Sequence, residues 1–450
     1  TRYNPTSTTD TWTDVTTRVR GALETSRGKE GEAEHAETGS MILTLTNDDR
    51  ALEPEYAASP YYPGVASNRK IQIRAFHDGV WKPLWRGYVE QWPQTWGLRR
   101  SAVTLSCVGN FIRFSHAEEV SGDFPTELTG ARVDRVLDAA AVPSTERLLD
   151  EGKLALVAHR VERSGTRGYA DQAVDSEFGI LFEDAYGRIA FHDRDHRVTD
   201  ERSVVPRFVL GDGGPSSGEL PLVFADPTYD PDRVVNDVRV EWPGGVTQVA
   251  VDGASVRSYG QKSITVQTLL GSELSAARLA KTILDLAHEP RWRFPQVSIR
   301  PTRLEELWFV ALDSEISDRH VIRRRPPGGG ALLQMPVFVE AVRHSIEMGS
   351  EGHITDWLTT FAYSTVGRAL PVALIPFTTV SVAFGTMGRT LPPTAGATAS
   401  RLAPFIKTSR PKPNAAVATA SRPAPLVLVG IPIPVRVATA ARVAPVVTIS

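Results

Sequence analysis

Between Val366 and Ser450 the chain carries twelve prolines in 85 residues and neither Asp nor Glu. Alanine, valine and threonine supply most of the remainder. The pattern Arg-x-x-Pro recurs six times, starting at Arg368, Arg389, Arg401, Arg410, Arg422 and Arg442, with several copies 21 or 20 residues apart. The best-matched copies are Ala397–Pro404, Ala418–Pro425 and Ala438–Pro445, an interleaved internal repeat. Alone, such a segment cannot bury enough apolar surface to offset its ordering entropy, so it is expected to be extended and polyproline-like. The six arginines are the candidate interface residues: proline lowers the entropy lost on docking, and a guanidinium anchors to carboxylates or carbonyls.

The repeat also splits the charge. Nine of the 50 Lys/Arg and none of the 52 Asp/Glu fall in it, which leaves 41 basic against 52 acidic residues in positions 1–365. A body near −11 joined to a tail of +9 predicts that the tail lies on an acidic surface, its own or a neighbour's. Cys107 is the single cysteine, so no intrachain disulfide and no four-cysteine zinc site are expected; this suits a reducing cytoplasm. No secretory leader is expected from the N-terminal residues, and the most apolar run, Pro425 to Val435, is too short to cross a bilayer.

Short alternating runs dominate the body. Gly39–Thr46 sets Met41, Leu43 and Leu45 on one face, Ile71–Phe76 alternates into a turn at His77-Asp78-Gly79, and Ala102–Val108 alternates again. Thr129 is placed to cap a helix carrying Val133, Val136, Leu137 and Ala140. Ile180–Glu183 and Arg188–Phe191 read as a hairpin turning at Gly187. Ser272 caps one good helix that presents Ala276, Leu279, Ala280, Ile283, Leu286 and Ala287 on one face; strands follow at Gln296–Arg300, Val337–Val342 and Trp357–Tyr363. The fold class is therefore mainly β with α+β insertions. Residues 1–122 form an N-terminal barrel-like β domain, 123–205 an α+β domain, 206–365 a second barrel-like β domain with one helix, and 366–450 the extended basic repeat tail.

Chemistry-bearing motifs are sparse. Gly214-Pro-Ser-Ser-Gly218 fits the G-x-S-x-G nucleophile pattern, but no helix opens there, and it reads as a surface loop. His192-Asp-Arg-Asp-His196 puts four potential metal ligands in five residues, interrupted by arginine. Asp226–Asp232 has the wrong spacing for a calcium loop and reads as a turn. Arg323-Arg-Arg325 leads into a Pro/Gly loop with no interleaved aromatics to stack bases. Trp81, Trp85, Trp92 and Trp96 fit either a sugar-stacking shelf or the core and interface anchors of a β domain. No enzyme activity, cofactor or metal is expected.

Several stretches in order resemble minor tail proteins of long-tailed phages infecting actinobacteria: Asp14–Val19, Thr25–Lys29, Gly39–Arg50, Ser59–Pro63, Ile71–Arg74 and Arg86–Glu90. Phe178–Phe182, Asp184, Gly187–Phe191, Leu274–Pro290, Ile316–Arg319 and Val339–His344 continue the resemblance over residues 10–365. It implies a virion protein of the tail tip, akin to trimeric hubs whose barrel-like domains continue the tail tube and whose α+β domains stand outside it. On that basis the chain is expected to form a homo-oligomer, with a trimer favoured, to assemble in the host bacterial cytoplasm, and to contact tail-tip and tail-tube proteins. Fibre or receptor-binding proteins are further expected partners, and DNA passes through without specific binding. No catalytic residues are carried over. A distal tail ring protein, a carbohydrate-binding adhesin and a tail-associated cell-wall hydrolase are the competing readings.

Overall fold

The computed structural model describes residues 12–30, 34–117, 119–349, 353–365 and 444–449. Its largest element is a fourteen-stranded sheet. In chain order the strands are β1 (Thr13–Asp14), β2 (Val19–Gly28), β3 (Glu37–Thr46), β4 (Arg69–His77), β5 (Val80–Val89), β6 (Gln94–Trp96) and β7 (Ser101–Val108). There follow β8 (Phe208–Gly211), β9 (Leu220–Pro221), β10 (Gln296–Ile299), β11 (Arg319–Arg324), β12 (Leu333–Met348), β13 (Ile354–Thr365) and β14 (Ala444–Ile449). Across the sheet the order is β1–β14–β4–β5–β7–β3–β2–β12–β11–β8–β9; β6 joins β7, and β13 joins β12 to β10.

Period-two alternation builds the N-terminal part. Met41, Leu43 and Leu45 pair in register with Cys107, Leu105 and Val103, so all six buried side chains enter one core. β4 turns into β5 through Asp78-Gly79, both at positive φ (48° and 77°), the backbone a two-residue hairpin turn requires. The hairpin at Gly187 is also present, with Ile180–Glu183 antiparallel to Ile189–His192.

β12 runs far beyond the six residues expected at Val337–Val342. Its first part pairs with β11, its second part pairs with β2 from Ala341 to Met348, and β13 follows its other edge. The N-terminal strands and those after residue 206 thus share one continuous sheet. No sheet among the described residues closes into a barrel: the path ends at β1 and β9, two-residue strands that do not meet. The chain is mainly β with helical insertions, but its β parts are fused and open.

Four longer helices fill in around the sheet: α1 (Thr129–Ala139), α2 (Thr166–Glu177), α3 (Glu273–Ala287) and α4 (Glu306–Asp313). α1 and α2 pack on the Gly187 hairpin, with Phe111, Tyr169, Phe182 and Phe191 in their core. Thr129 is the first helical residue, not the cap; its hydroxyl donates to the Leu154 carbonyl (3.3 Å). Ser272 does cap α3, accepting from the Ser275 amide (3.2 Å). Ala276, Leu279, Ala280 and Leu284 of α3 cover a three-stranded sheet made of Asp237–Glu241, Gln248–Val251 and Ser263–Gln267.

α4 and a short helix, Gly253–Tyr259, were not expected after residue 206. α4 shows no polar stripe because six consecutive apolar residues, Leu307–Leu312, fill it; Glu306 and Phe309 are exposed, and the rest of the run is buried. Trp308 and Leu312 enter the N-terminal core, while Leu307, Val310 and Ala311 enter the core under β8, β10 and β13. Trp308 meets Trp357 of β13 edge to face, at 5.0 Å between ring centres.

The tail contributes β14 alone to the described residues. It pairs antiparallel with β4 and with β1, and Val447 is fully buried in the N-terminal core.

Candidate functional site

The core covers one face of the sheet; the other face is open and hydroxyl-rich. Between the buried positions of β3, β7, β2, β12 and β13 stand Ser40, Thr44, Thr104, Ser106, Ser26, Ser345 and Thr360, each half-exposed or exposed. Threonine suits a pleated, half-solvated surface, and hydroxyls opposite one another bond across strands. Thr44 and Thr104 do so at 3.0 Å, and Ser298 and Thr360 at 2.8 Å. A shallow hollow of about 420 Å³ lies in this face, bordered by Glu24, Ser40, Ile42, Arg343, Ser345 and Thr360.

Charge on the face is low and mixed: Arg20, opposite Thr44, donates to the backbone carbonyls of Thr17 and Val19. Arg343 is bonded to Glu30 and Asp356 pairs with Arg300 (3.2 Å). Glu24 and Glu347 are exposed and have no ion-pair partner among the described residues.

Behind the sheet a set of buried charges joins it to the α+β insertion. Glu183, at the end of its strand, accepts from the Gly39 amide (2.5 Å) and from the Phe111 amide. A Cβ on Gly109 would stand 2.1 Å from the Glu183 carboxylate, and one on Gly39 would stand 2.6 Å from it, so both positions need glycine to admit it. Burial pushes the Glu183 carboxyl up to about 7, although both amide bonds oppose the shift. Arg27 of β2 is bonded to Glu315, whose other oxygen accepts from the Ala185 amide (3.1 Å). Glu340 of β12, fully buried, accepts from Arg197 (2.8 Å) and from Ser364 (2.5 Å). Its burial opposes ionisation, but Arg197 and Lys29 hold its carboxyl below the usual range.

The sequence-level candidates scatter. The six tail arginines, Arg368, Arg389, Arg401, Arg410, Arg422 and Arg442, lie outside the described residues. Ser217 of the Gly214–Gly218 loop donates to Gly214 (2.7 Å) and accepts from the Glu219 amide, with no histidine bonded to it among the described residues. His192 and His196 stack at 3.4 Å rather than converge on one point; His192 bonds Ser317 (3.1 Å), and His196 bonds Asp150 (2.8 Å). Burial, then the neighbouring His196, drives His192 down to about 3. Among the described residues no group of three acidic, histidine or cysteine side chains is arranged to hold a metal ion.

Asp230 closes a turn by accepting from the Asp232 amide (2.7 Å). Arg323, Arg324 and Arg325 face Glu219 and Asp212, so the basic run is largely neutralised within the chain. Trp85 and Trp92 are buried, whereas Trp81 and Trp96 stand out of the surface; the four make no shelf. Glu183, Glu315 and Glu340 carried no linear signal, because each is defined by partners far away in the chain.

No protein-family model matches the sequence, and no curated protein matches it. The fold is found among solved structures. The tail protein from Neisseria meningitidis MC58 is similar at 10% identity with a TM-score of 0.53, covering 78% of this chain and 95% of that one. The 43 kDa tail protein of prophage MuSo2 from Shewanella oneidensis aligns at 12% identity and TM-score 0.49, covering 77% and 92%. Prophage tail protein gp18 from Listeria monocytogenes EGD-e aligns at 10% and TM-score 0.39, covering 77% and 89%. At these identities the first of the three establishes a shared fold.

Proposed function

We propose that the chain is a structural subunit of a phage tail, a hub-like ring protein at the distal end of the tail tube, and not an enzyme. The observation that carries this is the open hydroxyl-rich sheet face, on a fold that 78% of the chain shares with a bacterial tail protein. A ring of copies, three being favoured, would turn these faces inward around the DNA exit path. Serine and threonine hydroxyls with carboxylates at Glu24 and Glu347, and with Arg343 and Arg300 paired to acids and Arg20 tied to backbone carbonyls, offer phosphate little to hold, so DNA slides past without specific binding. The α+β insertion and the outward surfaces then meet tail-tube proteins and fibre or receptor-binding proteins, and the basic Arg-x-x-Pro tail lies on acidic neighbours. The chain is assembled in the host bacterial cytoplasm and ends in the virion. A distal tail ring protein of other symmetry is the same reading with a different copy number.

Image classes of the assembled protein test this. A ring with the Thr44–Thr104 face lining its channel is expected. A protein that stays monomeric at assembly concentrations, or a ring with that face outermost, would refute it. A glycan array and a peptidoglycan zymogram address the adhesin and hydrolase readings; binding or clearing by the purified chain would displace the proposal.

A further inference from the structure

We propose that β14 is exchanged between copies: in the assembled protein, the strand Ala444–Ile449 of one copy fills the slot between β1 and β4 of the next. This rests on the ring reading above.

The slot is built to take a strand. β4 is nine residues long and alternates, and β5 occupies only one of its edges. Without β14 the other edge would be a long row of unpaired amides and carbonyls, the usual template for strand addition. Six residues of β14 pair in register with β4. On its far side the Val15 amide donates to the Val447 carbonyl (3.0 Å), and the Val447 amide donates to Thr16 Oγ1 (2.9 Å). Val447 is the specific plug, wholly buried opposite Ile73.

The fit carries one cost. Thr448 buries a hydroxyl that has no hydrogen-bond partner among the described residues, which weakens the strand's hold.

Reach favours exchange. Residues 366–443, 78 positions, separate β13 from β14. Fully extended, that length would span about 260 Å at roughly 3.3 Å per residue, far beyond an adjacent copy. Each copy offers an identical slot, so exchange conserves every contact, and tethering makes a neighbour's slot compete on equal terms with the chain's own. The tail's nine cations and absent acids keep tails apart from one another and direct each toward the net-acidic bodies around it. Exchange adds what return to the same copy cannot: each strand then links two copies, and the links close with the ring.

Thr448 faces Gln72 in the register, and Val446 faces Arg74. In a full-length Cys107→Ala background, one version carries Gln72→Cys and another Thr448→Cys. The two are co-assembled and oxidised, and a doubly substituted chain serves as the geometric reference. The same set is made with Arg74→Cys and Val446→Cys, and each version is checked for native circular dichroism. Exchange predicts a covalent dimer from the mixed single variants. A sample that is oligomeric by native mass, with crosslinks only inside the doubly substituted chain, would overturn exchange and leave the ring standing. A monomer by native mass would remove both. No crosslink in either doubly substituted chain would show that the strand does not occupy the slot, and would also overturn the proposal.

Discussion

Glu183 is held by two backbone amides and by no cation within salt-bridge distance among the described residues. Burial raises its carboxyl from an ordinary 4.5 to about 7, so the folded chain binds a proton there that the unfolded chain releases at lower pH. The sign follows: this group's contribution is most favourable below about pH 4.5, falls as pH rises toward 7, and stays low above it. Urea midpoints of wild type and Glu183→Gln at pH 5 and pH 8 should reveal it. The variant is weaker at pH 5, where one amide loses its acceptor at a cost of about 1–3 kcal/mol, and it lacks the wild type's further loss toward pH 8. Equal slopes would exclude the assignment. Gly109→Ala should destabilise by more than about 2 kcal/mol, since its Cβ would stand 2.1 Å from the Glu183 carboxylate. Adding Glu183→Ala should recover part of that loss in a double-mutant cycle measured by thermal unfolding. None of this was legible in the sequence, where Glu183 merely ends an apolar strand; its partners Gly39 and Phe111 are 144 and 72 positions away.

At the scale of elements, what could be read locally was read. Asp78-Gly79 announces its hairpin, and Ser272 with the apolar spacing behind it announces α3, because turn chemistry and caps act within a few residues. α4 escaped for a physical reason: Glu306 and Asp313 bound six consecutive apolar residues, Leu307–Leu312, which show no helical stripe to detect. Its two sides serve two cores. Trp308→Ala should therefore cost about 3–5 kcal/mol and loosen both cores together, which hydrogen exchange at β5 and at β10 would register. Ser272→Ala is the local contrast, costing about 1 kcal/mol at the start of α3 and leaving exchange at β5 unchanged. β14 escaped because Pro445 and the preceding repeat mask the four strand formers Val446–Ile449; only the slot beside β4 gives them a structure.

For the whole molecule, the sequence showed many short strands but not that they join. Continuity depends on β2 meeting Ala341–Met348 some 300 positions away, and no periodicity encodes that pairing. The resulting open face is where the proposed ring meets DNA. Thr44→Lys with Thr104→Lys should cost the subunit about 1 kcal/mol, since the cross-strand hydroxyl bond is lost and like charges stand directly opposite. In particles it should slow genome release, and added salt should relieve the delay, as expected when cations are placed along a phosphate path. Unaltered release kinetics would argue that DNA does not pass this face.

The sixteen-residue β12 also bears on how such a chain can change over generations. A crossover that swapped residues 1–122 for a foreign segment would leave Ala341–Met348 without the strand it pairs with. The segments that can be traded freely are those hung outside the shared sheet, the α+β insertion and the small sheet under α3. Lineages of this fold should therefore keep the first and last thirds of the body as one inherited pair and diversify in between.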